Sequence, residues 1–286
     1  MKNILFLISI SFIIVSCSGC SDTPQANLPV PKNYVILLDL SDRLLRPNQL
    51  IHDQEIIKTV FETFTQTVRR GNMIVNSRDK FRVVIAPQKG ANYDSEEFMT
   101  QLFIDMEQIS IAQKRKKLED FEARWVNTLS ELYQQATQNK NKHEDFAGCD
   151  LWKYFNEQLE TDLLKNYDNQ LIILTDGYFD FESNPNTKHS ANRSTATNFI
   201  PMLRQSTDWK KIIEQKDCGL IAIQKSYPPT SVIVSEISPK NNNLDESEIL
   251  TAVWNKWLSE MGLDKVNLEL SSNVSKTRVR IKGILQ

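Results

Sequence analysis

The sequence predicts an α/β protein, Rossmann-like and doubly wound, with a mostly parallel sheet and helices on both faces; three observations carry that expectation. Apolar runs of strand length alternate with amphipathic runs of helical length along most of the chain. Two strand-like runs, Tyr34-Val35-Ile36-Leu37-Leu38 and Leu171-Ile172-Ile173-Leu174, are continuously apolar, as strands covered on both faces are. Each stops abruptly at an aspartate, in Asp39-Leu40-Ser41 and Thr175-Asp176-Gly177. In open α/β sheets the carboxyl ends of the strands form the ligand crevice. Aspartates at those ends, on neighbouring strands, would build one anionic pocket.

The remaining elements follow in order. Ile57, Val60, Phe61, Phe64 and Val68 recur at helical spacing, and Gly71 is placed to stop that helix. Residues 81–86 read as a strand closed by Pro87, and residues 102–111 contain a short edge strand. From 113 to 136, Leu118, Phe121, Trp125, Leu129, Leu132 and Ala136 step by three or four, which predicts a long amphipathic helix with its aromatic residues in the core. A polar loop, 137–148, precedes a helix over 151–164 and the Leu171 strand; a second loop, 180–195, precedes a helix over 196–215. Strands follow at 220–223 and 231–237, and a helix at 246–261 turns Leu250, Val253, Trp254, Trp257 and Leu258 inward. Alternation over 266–270 and 277–284 predicts a terminal hairpin with one exposed face. No repeat or mid-chain linker interrupts residues 33–286, which read as one domain.

Lys2 followed by a mostly apolar run from Ile4 to Val15 has the form of a secretory signal, too short to span a bilayer. Ile14-Val15-Ser16-Cys17 resembles a bacterial lipoprotein processing site, which implies a signal peptide over 1–16 and a lipidated Cys17; Cys20 is the alternative cysteine. An ordinary cleaved signal beside an incidental cysteine is the plainer alternative. Several acyl chains would hold the protein on a membrane without a transmembrane helix. Residues 17–32, with Pro24, Pro29 and Pro31, read as the tether between anchor and domain. The expected setting is a bacterial cell envelope.

The chain carries 34 basic and 36 acidic residues, a net charge of −2, and loss of the signal with its one lysine makes it −3. That balance argues against a nucleic-acid binder. Lys114-Arg115-Lys116-Lys117 is the densest basic run, and it reads as a solvated helix face. With eight glycines there is no Gly-x-Gly-x-x-Gly and no phosphate-cradling loop, and no Gly-x-Ser-x-Gly nucleophile elbow occurs. His52, His143 and His189 share no zinc-ligand spacing. Cys149 and Cys218 are expected as free, partly buried thiols.

With the strands so placed, Asp39-Leu40-Ser41-Asp42-Arg43 and Thr175-Asp176-Gly177 look like the von Willebrand factor A family over roughly residues 33–261. The resemblance implies a metal-ion-dependent adhesion site built from Asp-x-Ser-x-Ser, an intermediate-loop threonine and a distal aspartate. Carried over, Asp39 and Ser41 match the first pattern, Asp176 the distal aspartate, and Asp150 takes the threonine's place in Gly148-Cys149-Asp150. Oxygen ligands of this kind suit Mg²⁺ or Ca²⁺. Arg43 departs from the pattern, since it stands where the second serine should and a guanidinium has no lone pair to give a cation. Two outcomes follow: Asp39, Ser41, Asp150 and Asp176 hold a metal with waters, or Arg43 turns inward and replaces it.

The resemblance implies binding, not turnover: a partner's Asp or Glu carboxylate replaces one water on the ion. Asp42, Asp180 and Glu182 are near enough in sequence to tune the rim, although acidic loop residues are commonly only solubilising. The alternative from another class is a Mg²⁺-dependent phosphoester hydrolase using the strand-end aspartates. Its weakness is that Asp39-Leu40-Ser41 lacks the second aspartate of an Asp-x-Asp motif. A scaffold whose site is vestigial is the third reading.

Overall fold

The computed structural model describes residues 29–179, 187–240 and 245–286. Cys17 and Cys20, most of the tether, and Asp180 and Glu182 lie outside the described residues.

The first half of the chain builds one side of the sheet. Strand β1 (Lys32–Leu38) is followed by helix α1 (Gln49–Arg69), strand β2 (Lys80–Ile85), helix α2 (Ser95–Gln101), strand β3 (Phe103–Asp105) and helix α3 (Lys114–Thr137). The chain then passes through helices α4 (Leu151–Glu157) and α5 (Leu159–Asp162) into strand β4 (Asp168–Leu174). Short strands β5 (His189–Ser190) and β6 (Arg193–Ser194), helices α6 (Ile200–Arg204) and α7 (Trp209–Gln215), and strand β7 (Gly219–Leu220) come next. Strand β8 (Thr230–Ile237), helix α8 (Glu246–Glu260), strand β9 (Lys265–Leu270) and helix α9 (Val274–Leu285) complete it.

The six-stranded sheet has the order β3-β2-β1-β4-β8-β9. All neighbours are parallel except β3, an antiparallel edge strand on β2. The chain adds strands outward from β1 on one side, then returns to β1 and adds β4, β8 and β9 on the other. The order therefore reverses between β1 and β4, and their carboxyl ends flank the crevice that such a reversal opens.

Helices cover both faces. On one, Phe61 and Phe64 of α1 and Phe121 and Trp125 of α3 close over Tyr34 and Phe81, which pair across β1 and β2. On the other, Phe155 of α4 stacks at 4.7 Å on Trp257 of α8, and Phe179 lies against Trp254 and Trp257. The core strands are buried along their whole apolar length, as their continuous pattern predicts.

Several expectations are corrected. The terminal hairpin is absent: β9 pairs in parallel with β8, and residues 274–285 form α9, which packs on α1. Thr277, Ile281 and Leu285, four apart, are the buried positions, whereas Val279 is 71% exposed, so the period is helical. The Asn273 side chain accepts from Lys276 N at 2.9 Å and caps the start. The expected helix over 151–164 breaks at Gln158, and that over 196–215 becomes α6 and α7. Residues 219–220 belong not to the main sheet but to a three-stranded one with β5 and β6. Lys114 is not solvated: it is 5% exposed, and its Nζ donates to Val75 O at 3.0 Å and Ser77 O at 2.6 Å. Cys149 and Cys218 are free thiols, both buried.

Candidate functional site

Each strand-end aspartate is positioned by the backbone that follows it. Asp39 N continues the ladder to Leu174 O at 3.0 Å, so Asp39 leaves β1 level with the start of Thr175-Asp176. Asp39 Oδ1 accepts from Ser41 N at 3.0 Å, which turns the chain sharply into a 3-10 turn at Asp42–Leu45. Asp39 Oδ2 accepts from Thr175 Oγ1 at 2.7 Å across the β1–β4 boundary. Asp176 Oδ1 accepts from Tyr178 N at 3.2 Å, fixing the next turn. Gly177 serves that turn with φ of 98°, and its carbonyl accepts from Trp254 Nε1 at 2.9 Å. A Cβ at Gly177 would meet Ile237 Cγ2 at 3.3 Å, so conformation and space both select glycine.

Asp39 and Asp176 are 1% and 2% exposed. Burial, and then the charge of Asp39, push the Asp176 carboxyl up to about 7, while Lys240 and Arg46 pull it down. Cys149 also faces this niche. Its Sγ accepts from Leu40 N at 3.2 Å, and burial followed by the neighbouring Asp39 raises its thiol well above the ordinary range. It is therefore an inert protonated thiol.

Arg43 turns inward, where its charge is met chiefly by Asp53 and only secondarily by Asp39. Its Nη1 and Nη2 grip Asp53 Oδ2 and Oδ1 of α1, each at 2.8 Å, and Nη1 reaches only the Asp39 carbonyl, at 3.0 Å. Tyr133 and Gln49 also donate to Asp53, so this cation already has its anion. The reason is local geometry: Asp53 sits just over one turn into α1, directly over the loop that carries Arg43.

The counter-charge for Asp176 comes from Arg46 and Lys240, which the sequence did not single out. Arg46 Nη2 donates to Ser238 O at 2.9 Å, Nη1 reaches Glu236 O at 3.5 Å, and the guanidinium lies 3.7 Å from Asp176 Oδ2. Glu236 makes this possible. It has φ of 73° at a bulge between Ser235 and Ile237, and the strained turn presents its carbonyl to Arg46. Its buried side chain accepts from Ser271 Oγ at 2.9 Å and faces His52 Nδ1 at 3.4 Å. Lys240 reaches Asp42 at 3.3 Å, and His143 bonds the same carboxylate at 2.7 Å. An arginine three residues after Arg43 was a visible signal; Lys240 could be found only once β8 was known to adjoin β4.

Asp150 stands apart from the pair. Its backbone N donates to Pro87 O at 2.7 Å, and its Oδ1 caps α4 by accepting from Lys153 N at 2.8 Å. Burial raises its carboxyl, and the charges it senses are those of Lys153 and Glu157. Among the described residues no three His, Cys, Asp or Glu side chains converge as an ion requires. Asp150 caps α4 and does not converge with Asp39 and Asp176, and Arg46 stands over Asp176, so the donors present fall short of the Mg²⁺ or Ca²⁺ that the resemblance implies.

Fold and site together define a doubly wound α/β protein with a buried acidic pair at its topological switch point. No family model matches the chain, and no curated protein matches it. Among solved structures, proximal thread matrix protein 1 from the mussel byssus is similar at a TM-score of 0.35 and 11% identity over 90% of this chain. The chain spans 47% of that protein's length, and so loose a likeness carries no argument.

Proposed function

We propose that the chain is a lipid-anchored cell-envelope module, von Willebrand factor A-like in kind, that binds a protein partner at the carboxyl edge of its sheet. The observation that carries the reading is the meeting of Asp39, Thr175 and Asp176 at the β1–β4 switch point under the partly exposed Arg46. The family's site implies attraction for a partner's Asp or Glu. Here Arg46 and Lys240 supply the positive charge that an ion would otherwise provide, and both reach the surface. A partner carboxylate would take a bidentate bond from Arg46, while Asp176 below holds that side chain in place.

The sequence features that support anchoring are the apolar run ending at Cys17 and the proline-bearing tether. Comparative recovery of envelope proteins by the wild type, Arg46→Glu and Asp176→Asn tests the binding role. Loss of the same partner in Arg46→Glu, with the melting temperature kept, supports it. Equal recovery by all three would reduce the niche to a structural feature.

A further inference from the structure

The carboxyl edge of the sheet carries the acidic niche, and the opposite edge has a different character. Strand β1 enters there, α1 ends there and α3 begins there, because Lys80 at the start of β2 pairs with Asp105 at the end of β3. A continuous set of hydrogen bonds ties these pieces together. Lys32 N donates to Asp79 Oδ1 at 2.7 Å, Ser77 Oγ to Asp79 Oδ2 at 2.9 Å, and Lys114 Nζ to Ser77 O and Val75 O. Burial lowers the Lys114 ammonium's pKa, as its place as an internal brace requires.

Around this brace, large apolar side chains stand exposed. Val30 lies just before β1, Val75 ends the 3-10 segment Arg70–Val75, and Ile111 lies one turn before Lys114. Exposed cations lie on the same segments. Arg70, Arg115, Lys116 and Lys117 take part in no ion pair among the described residues, although the protein as a whole is acidic. A notch here is lined by Arg69, Ile74, Arg115, Leu118 and Glu119, with Arg69 paired to Glu122 at 2.9 Å. Isolated exposed apolar residues are ordinary. Three of them on one edge, with the unpaired cations Arg70, Arg115, Lys116 and Lys117 on the adjoining segments, form the pattern of a surface that rests on phospholipid.

We propose that this amino edge docks on an anionic phospholipid surface, with Val30, Val75 and Ile111 entering the headgroup layer and Arg70, Arg115, Lys116 and Lys117 meeting lipid phosphates. The proposal deepens the anchoring reading and takes its setting from it. The described chain begins at residue 29 on this edge, and Cys17 is twelve positions earlier in the sequence, so a lipid on that cysteine keeps this edge near the bilayer. Strand β1 has seven residues, which sets the acidic niche roughly 20 Å or more farther from the membrane, facing outward.

Full chain recovered from membranes is reconstituted into phosphatidylcholine vesicles with and without phosphatidylglycerol, and backbone hydrogen exchange is followed. The expected result is several-fold slower exchange over residues 70–77 and 109–117 only with phosphatidylglycerol. In Arg70→Glu/Lys116→Glu/Lys117→Glu, whose altered residues are exposed and unpaired, that slowing is lost. Unchanged exchange, equal slowing on both vesicles, or slowing without vesicles as protein concentration rises would each overturn the proposal, the last by showing self-association. Intact mass reports acylation of Cys17 independently. If no acyl mass is found, the anchoring reading falls, and the footprint on added phosphatidylglycerol vesicles still decides the surface.

Discussion

The hydroxyl of Thr175 donates to the carboxylate of Asp39 across 2.7 Å, although the two residues are 136 apart in the chain. This bond closes the switch point: it joins the ends of β1 and β4 and occupies one oxygen of an aspartate that has almost no contact with water. Thr175→Val keeps the shape and removes the donor, leaving a buried carboxylate oxygen unsatisfied. The expected cost is about 1–3 kcal/mol in urea unfolding, with Thr175→Ser recovering most of it. A neutral Thr175→Val would mean that the hydroxyl does not hold the niche.

Arg43 and Asp53 form a fully buried pair, and removal of one partner leaves the other's buried charge without its counter-ion. Arg43→Met is expected to destabilise by about 3–5 kcal/mol, and Arg43→Met/Asp53→Leu by less than the sum of the single changes. Additive costs in the double-mutant cycle would contradict the pairing.

The pH dependence follows from Asp176. Its carboxyl titrates at about 7 in the folded protein and at about 3.9 in an unfolded chain. Folding favours the protonated form, so this group's contribution is complete below about pH 4 and is lost as pH rises through about 7, at most on the order of 4 kcal/mol. The melting temperature should fall between about pH 4 and about pH 7 and level off above, and Asp176→Asn should flatten that slope and be the more stable at the upper end. Parallel profiles for the two proteins would refute the assignment.

Divalent cations probe the same niche independently. With Arg46 over Asp176 and Asp150 held at the start of α4, millimolar Mg²⁺, Mn²⁺ or Ca²⁺ should leave the wild-type melting temperature unchanged. Arg46→Ala removes the resident cation and should create a metal-dependent rise. A wild-type increase of several degrees would restore the ion to the site.

Gly177→Ala introduces a Cβ at φ of 98° and 3.3 Å from Ile237. The expected cost is about 1–2 kcal/mol, read as a lower urea midpoint with unchanged slope. An unchanged midpoint would show that the turn after Asp176 tolerates other conformations.

The sequence by itself determined what local periodicity can encode. The unbroken apolar runs of β1 and β4, the three-and-four spacing of α1, α3 and α8, and the halt of two buried strands at Asp39 and Asp176 are all legible without coordinates. Short elements were not legible: β5 and β6 have two residues each, too few to show a period, the strand read at 220–223 gave no sign of its separate sheet, and over 277–284 alternate positions and every fourth position coincide. Tertiary structure alone decided which charges meet. Strand order brings Ser238 and Lys240 beside Asp176, one turn of α1 returns Asp53 to Arg43, and the bulge at Glu236 aims a carbonyl at Arg46. Electrostatic partnership depends on distance in space, and distance between remote segments is set by strand pairing rather than by neighbouring residues.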